Sequence, residues 1–193
     1  MKKIFEEGCF DVHHNVRLDE ARSAIPIAHS QYGNTKTTIF ISHKHTDLEL
    51  LKGFLGFLEQ EYNVKVYIDS QDPSMPKITS AQTAANIKNR ICQCNKFILL
   101  ATNSAVQSKW CNWELGYGDA QKYKSHIALF PMKPKGTDDC AYRGSEYMEL
   151  YPYIVYCNGN EKDAAGNLIK KGYYVYDQSQ NRITSFEAWL SKR

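Results

Sequence analysis

"KFILLA", residues 96–101, is the stretch that decides how this chain folds. Every side chain from Phe97 to Ala101 is apolar. Successive side chains of a strand point to opposite faces, so an unbroken apolar run needs cover on both. That is the signature of a parallel sheet, whose crossover helices lie on either side.

The flanking sequence supports this reading. "TTIFIS", residues 37–42, is a short β-branched and aromatic run bounded by polar residues. In "VKVYIDS", residues 64–70, Val64, Val66 and Ile68 alternate with Lys65, Tyr67 and Asp69. Beyond residue 101, "HIALFPM" (126–132) and "YIVYC" (153–157) read as fourth and fifth strands.

Helical signals fill the gaps. Thr46-x-x-Glu49 has the capping-box spacing and precedes Leu48, Leu51, Leu55 and Leu58, which recur on one helical face. Thr79-x-x-Gln82 precedes Ala84, Ile87 and Ile91, and Ser104-x-x-Gln107 precedes "SKWCNWELGYGDA", residues 108–120. "SQDPSMPK", residues 70–77, holds two prolines and reads as an exposed loop. Strand and helix alternate at least three times, which predicts βαβ units with right-handed crossovers.

The two ends differ from this rhythm. Residues 1–35 mix charges, histidines and one short apolar piece, "SAIPIAHS", and read as an irregular N-terminal extension. Residues 158–193 carry a tyrosine-rich strand, "GYYVYD", and a short last helix, "SFEAWLSK", with Thr184-x-x-Glu187 as its cap. They read as a C-terminal elaboration packed on the central domain, residues 36–157.

Composition narrows the functional class. A chain of 193 residues can bury about 70% of its unfolded surface. With 42% hydrophobic and 23% charged residues it reads as soluble and globular. The net charge of +3 is spread along the chain, and the longest cationic runs are pairs such as Lys2-Lys3 and Lys170-Lys171. Nucleic-acid and membrane surfaces need denser clusters. "MKKIFEEGCF" turns acidic before any signal-peptide core could form, and no run approaches the ~20 apolar residues of a membrane span. Cys9, Cys92, Cys94, Cys111, Cys140 and Cys157 follow no disulfide or zinc spacing, so free thiols in a cytoplasmic protein are expected. The lack of a glycine-rich phosphate loop argues against kinases, ATPases and Rossmann dehydrogenases.

In open α/β sheets, ligands bind beyond the carboxyl ends of the strands. One rim here collects Ser42-His43-Lys44-His45, Asp69 and Thr102-Asn103-Ser104. Glu114 stands four residues after Trp110 and three before Tyr117, so helical spacing gives the three a common face, with Trp113 alongside. Spacing alone favours a solvated surface glutamate; the competing reading is a carboxylate in an aromatic cleft, held there to stabilise a cationic transition state. His43-x-His45 with Asp47 is a weak metal set without a third histidine, so no metal is assigned. Cys111 has no identifiable base and reads as a buried thiol.

"TTIFISHKHTD", "VKVYIDSQD" and "SKWCNWELG", in that order, resemble the TIR domain, the Toll/interleukin receptor family, over roughly residues 36–157. The first matches the opening strand and its F-[IV]-S-[HY] box. The second matches the strand ending in an aspartate before the BB loop. The third resembles the W-C-x-x-E-L segment of NAD-cleaving members. The resemblance implies a flavodoxin-like three-layer α/β/α fold around five parallel strands. In the BB loop, where many members carry a glycine, this chain has Pro73 and Pro76.

The resemblance also implies cleavage of NAD between nicotinamide and ribose, with NAD as substrate and no separate cofactor. Glu114 would be the catalytic carboxylate, and Ser42, His43, Lys44, Asp69, Trp110 and Tyr117 the substrate-binding residues. Bacterial TIR proteins of this size resemble sensors of antiphage systems such as Thoeris, so self-association through TIR contacts and a separate effector that senses the product are expected. Two other functions compete. One is a non-catalytic TIR adaptor acting by self-association; the other is a relative of nucleoside deoxyribosyltransferases.

Overall fold

In the computed structural model, the structure describes residues 1–13, 36–68, 80–122 and 124–192. Among the described residues, eight strands form one sheet: β1 (Phe5–Glu6), β2 (Thr38–Ser42), β3 (Lys65–Tyr67), β4 (Lys96–Ala101), β5 (Ile127–Lys133), β6 (Tyr153–Cys157), β7 (Gly172–Asp177) and β8 (Arg182–Ser185). Five α-helices among the described residues accompany it: α1 (Leu48–Tyr62), α2 (Ala81–Gln93), α3 (Asn103–Val106), α4 (Lys109–Gln121) and α5 (Phe186–Ser191). The strand order is β3-β2-β4-β5-β6-β7-β8. The five strands from β3 to β6 are parallel, while β7 and β8 continue the sheet antiparallel. This is the flavodoxin-like order expected, extended at one edge.

β4 lies at the centre and all six of its residues are buried. Its side chains divide by parity, as the pleat demands. Ile98 and Leu100 join Ile39, Ile41 and Phe130 beneath Leu51, Leu55 and Leu58 of α1. Phe97, Leu99 and Ala101 join Phe40 and Leu129 beneath Ile87 and Ile91 of α2 and Cys111 and Leu115 of α4. Two cores, one on each face of the sheet, make the three layers. All six cysteines are free thiols, with only Cys9 and Cys92 exposed.

The helix starts differ from the capping-box reading at every position. α1 follows a 3-10 turn at His45–Asp47, and the Thr46 hydroxyl donates to Asp47 Oδ1 at 3.1 Å instead of capping the helix. At α2 the cap is Ser80, reciprocally bonded with Thr83; Thr79 lies outside the described residues. The expected single helix after Ser104 is two, capped by Thr102 and by Ser108, whose hydroxyls accept from Ala105 N–H and Cys111 N–H. Thr184 belongs to β8, and Ser185 caps α5 by accepting from Ala188 N–H. Serines and threonines crowd these loops, and only backbone geometry decides which of them reaches an orphan N–H.

Residues 1–13 enter the sheet. β5 and β6 pair directly only at Leu129↔Tyr153. Into the opening beyond that pair, β1 runs parallel to β5, matching Phe5 to Met132 and Glu6 to Lys133, while Lys2 bridges Tyr156. Phe5 stacks on Phe130 at 4.5 Å and Phe10 on Phe57 at 4.4 Å. A two-residue strand has no period to read, which is why sequence alone gave only an extension. "SAIPIAHS" lies outside the described residues, as do the proline loop and Asp69.

Gly56 makes this docking possible. A Cβ there would stand 2.1 Å from the backbone oxygen of His13. Gly56→Ala gains about 1 kcal/mol of helix propensity. It must also push the Asp11–His13 turn off α1, so a net loss of about 2 kcal/mol is expected in chemical denaturation.

Lys96 opens β4 with no exposed surface. Its Nζ donates to the Lys192 carbonyl at 2.7 Å and lies 4.9 Å from the Trp189 ring centroid. Burial, reinforced by the charges of Lys192 and Lys122, lowers its pKa from 10.5 to about 8. Between these values the unfolded chain holds a proton that the folded chain has released, so this group's contribution to stability rises with pH. Lys96→Met is therefore expected to raise stability by about 1–3 kcal/mol at pH 7, the gain shrinking toward pH 10. Denaturant midpoints across that range check it.

Candidate active site

Glu114 is buried, at 1% exposure, and does not lie on a solvated helix face. Ser42, at the carboxyl end of β2 and equally buried, donates its hydroxyl proton to Glu114 Oε2 at 2.5 Å. The two residues are 72 positions apart. The contact exists because α4 lies close against the sheet: a Cβ on Gly118, one turn after Glu114, would stand 3.2 Å from the Phe97 ring. A residue with no side chain at that point lets the helix settle onto β4, which brings the preceding turn down to the end of β2. Taking a carboxylate out of water costs several kcal/mol unless it is hydrogen-bonded. A charge-assisted bond of this kind is among the stronger ones available.

A second network braces the same rim. Asp47, largely buried, accepts from Thr102 Oγ1 at 2.5 Å and from Ser104 Oγ at 2.8 Å. It thereby joins the loop after β2 to the loop after β4. Asn103 extends the brace: its side-chain oxygen accepts from Ala141 N–H at 2.7 Å, and its amide donates to Asp139 Oδ2 at 3.0 Å. Thr102, Asn103 and Ser104 are foreseeable as rim residues. The bracing role of Asp47 is not, because its partners are 55 and 57 residues away. Among the described residues no group of three His, Cys, Asp or Glu side chains is placed to hold a metal ion.

Beginning at Ile39 in β2, a profile of the TIR domain matches residues 39–169. This chain belongs to the TIR family. It is also 28% identical, over 93% of its length and 89% of the relative's, to a Bacillus cereus (strain MSX-D12) protein named "Probable 3' cyclic ADP-D-ribose synthase ThsB'".

Within this TIR domain the remaining site residues divide between the end of β2 and the surface of α4. His43 follows Ser42 and is buried, with Nδ1 3.4 Å from the Ile41 carbonyl oxygen. Lys44 is half-buried beside it. Trp110, Trp113 and Tyr117 are each half-buried and form a stack along α4, with centroid separations of 4.9 and 6.1 Å. The far end of that stack turns toward α2: Lys88 Nζ lies 5.1 Å from the Tyr117 ring, and the Tyr117 hydroxyl is 3.5 Å from Cys92 Sγ. Tyr117 therefore closes the α2–α4 seam, while Glu114 on the same helix turns inward to β2. Cys111 is buried in the core on the α4 side.

The assembled rim can do one kind of chemistry well. It offers the buried Glu114 carboxyl group, held by the Ser42 hydroxyl, in a setting where, once ionised, it would stabilise a developing positive charge more strongly than in bulk water.

Proposed function

We propose that this TIR domain cleaves NAD at the bond between nicotinamide and ribose, and that its product is a cyclic isomer of ADP-ribose. The observation that carries this reading is the buried Glu114 carboxylate held by Ser42. The Bacillus cereus relative, by its name a cyclic ADP-ribose synthase, supports the choice of product.

The chemistry balances without a metal or redox partner. As the bond to the anomeric carbon breaks, its electron pair passes to the pyridinium nitrogen, and nicotinamide leaves neutral. Positive charge then develops on the ribose, and Glu114 both accepts hydrogen bonds from the sugar hydroxyls and stabilises that charge. Attack by a hydroxyl of the adenosine ribose, with loss of its proton, closes the ring; attack by water gives linear ADP-ribose. Ser42 fixes the carboxylate. Lys44 contacts the diphosphate, and Trp110 lines the ribose cleft. The same reading places the protein in antiphage signalling, self-associating through TIR contacts and passing its product to a separate effector.

The test is to incubate the purified chain with NAD and, separately, with a deoxynucleoside plus a free base, and to separate the products by chromatography and mass. Nicotinamide release, with a product one water lighter than ADP-ribose, is expected. Base exchange on the deoxynucleoside assigns the deoxyribosyltransferase class instead. No reaction in a self-associated, triggered sample assigns the adaptor function.

A further inference from the structure

The described residues line an open pocket of about 160 Å³ at the opposite end of the sheet from Glu114, where α5 packs across β7 and β8. Its polar lining comprises Ser125, Asp177, Arg182, Thr184 and Lys192, and its wall is the indole of Trp189. That wall is fixed, because Trp189 Nε1–H donates to the Ser125 carbonyl at 2.7 Å. The space suits a few heavy atoms and is far too small for a dinucleotide.

The charge around it is mostly positive. Arg182 and Lys192 are exposed at the mouth, and neither side chain has an ion pair or hydrogen bond among the described residues. Behind them lie Lys96, Lys122 and His126. Burial lowers the pKa of each of these three, and for Lys96 and His126 the neighbouring lysine charges lower it further. On the other side, Lys124 Nζ donates to Ser179 Oγ at 3.1 Å. The one carboxylate in the lining, Asp177, is turned to its own chain, with Oδ1 accepting from Ser179 N–H at 3.0 Å, Ser179 Oγ–H at 2.6 Å and Gln180 N–H at 3.4 Å. A pocket that gathers a guanidinium fork, an ammonium and two hydroxyls while its carboxylate is occupied elsewhere is chemically suited to a tetrahedral oxyanion. Such a ligand would also relieve the repulsion among the lysines.

We propose that this pocket binds a phosphate-sized oxyanion, supplied either as inorganic phosphate or as the terminal phosphate of a nucleotide. Nothing in this assignment depends on the chemistry at Glu114.

The test uses the whole chain, labelled with 15N and titrated with inorganic phosphate at constant ionic strength. It follows the Trp189 indole N–H, identified by its loss in Trp189→Phe. A saturable shift is expected. Affinity should fall at least about tenfold in the double variant Arg182→Gln, Lys192→Gln and be retained in Lys192→Arg. Both changed positions are exposed, so folding should persist, and NAD cleavage by the double variant should match wild type. AMP titrated in parallel separates the sources: tighter binding than phosphate identifies a nucleotide, and equal binding identifies the free ion. A shift that does not saturate, or that is unchanged in the double variant, would overturn the proposal.

Discussion

Glu114→Gln is expected to reduce nicotinamide release by roughly 1,000-fold or more, with a thermal midpoint level with or above that of wild type. The amide matches the carboxylate in shape and keeps an oxygen to accept the Ser42 hydroxyl, but the negative charge is gone. Without that charge, nothing at this position stabilises the ribose cation. The stability expectation has the opposite sign because a buried charge is costly to keep, whereas a buried amide with a partner is not. Glu114 has 1% exposure, so the effect on stability should be measurable. Loss of activity together with a lowered midpoint would assign Glu114 a structural role.

Ser42→Ala is the second large effect. It removes the donor from a buried carboxylate, which costs about 1–3 kcal/mol where the partner is charged. Both readouts should now fall: kcat by about 10–100-fold, since the carboxylate is no longer held in place, and the thermal midpoint with it. Adding Ser42→Ala to Glu114→Gln should cost little further activity, because the two side chains act as one unit. Steady-state kinetics and thermal melts on the four proteins of that cycle distinguish this pair from two independent contacts.

The sheet was legible because its signals are long or strictly alternating. The run at 96–101 and the alternation at 64–68 specify which faces are covered, and the structure places those residues accordingly. β1 escaped because two residues carry no period, and β8 because Arg182–Ser185 is polar and only half-covered. The break between α3 and α4 escaped because a serine can sit within a helix as well as cap one; the structure shows it in the extended backbone of Ser108, with φ −76° and ψ 117°, and in the Ser108 hydroxyl accepting from Cys111 N–H.

At the site, residue identity was more legible than contact. Ser42 and Glu114 stand out through the TIR boxes, but no sequence spacing joins residues so far apart. Helical spacing set Trp110, Glu114 and Tyr117 on a common face. In the folded chain that face is divided, with Glu114 drawn toward Ser42 and the Tyr117 end of the ring stack drawn toward Lys88 and Cys92. Asp47 illustrates the same limit, since its role depends on two hydroxyls delivered by another loop.

The most direct measurement is a mass balance on NAD incubated with the purified chain at a concentration where it self-associates. Free nicotinamide and an adenosine-containing product should appear in equal amounts, and neither should form with Glu114→Gln. NAD recovered intact, or cut at its diphosphate to give AMP and nicotinamide mononucleotide, would contradict the assignment of this rim as a nicotinamide–ribose cleavage site.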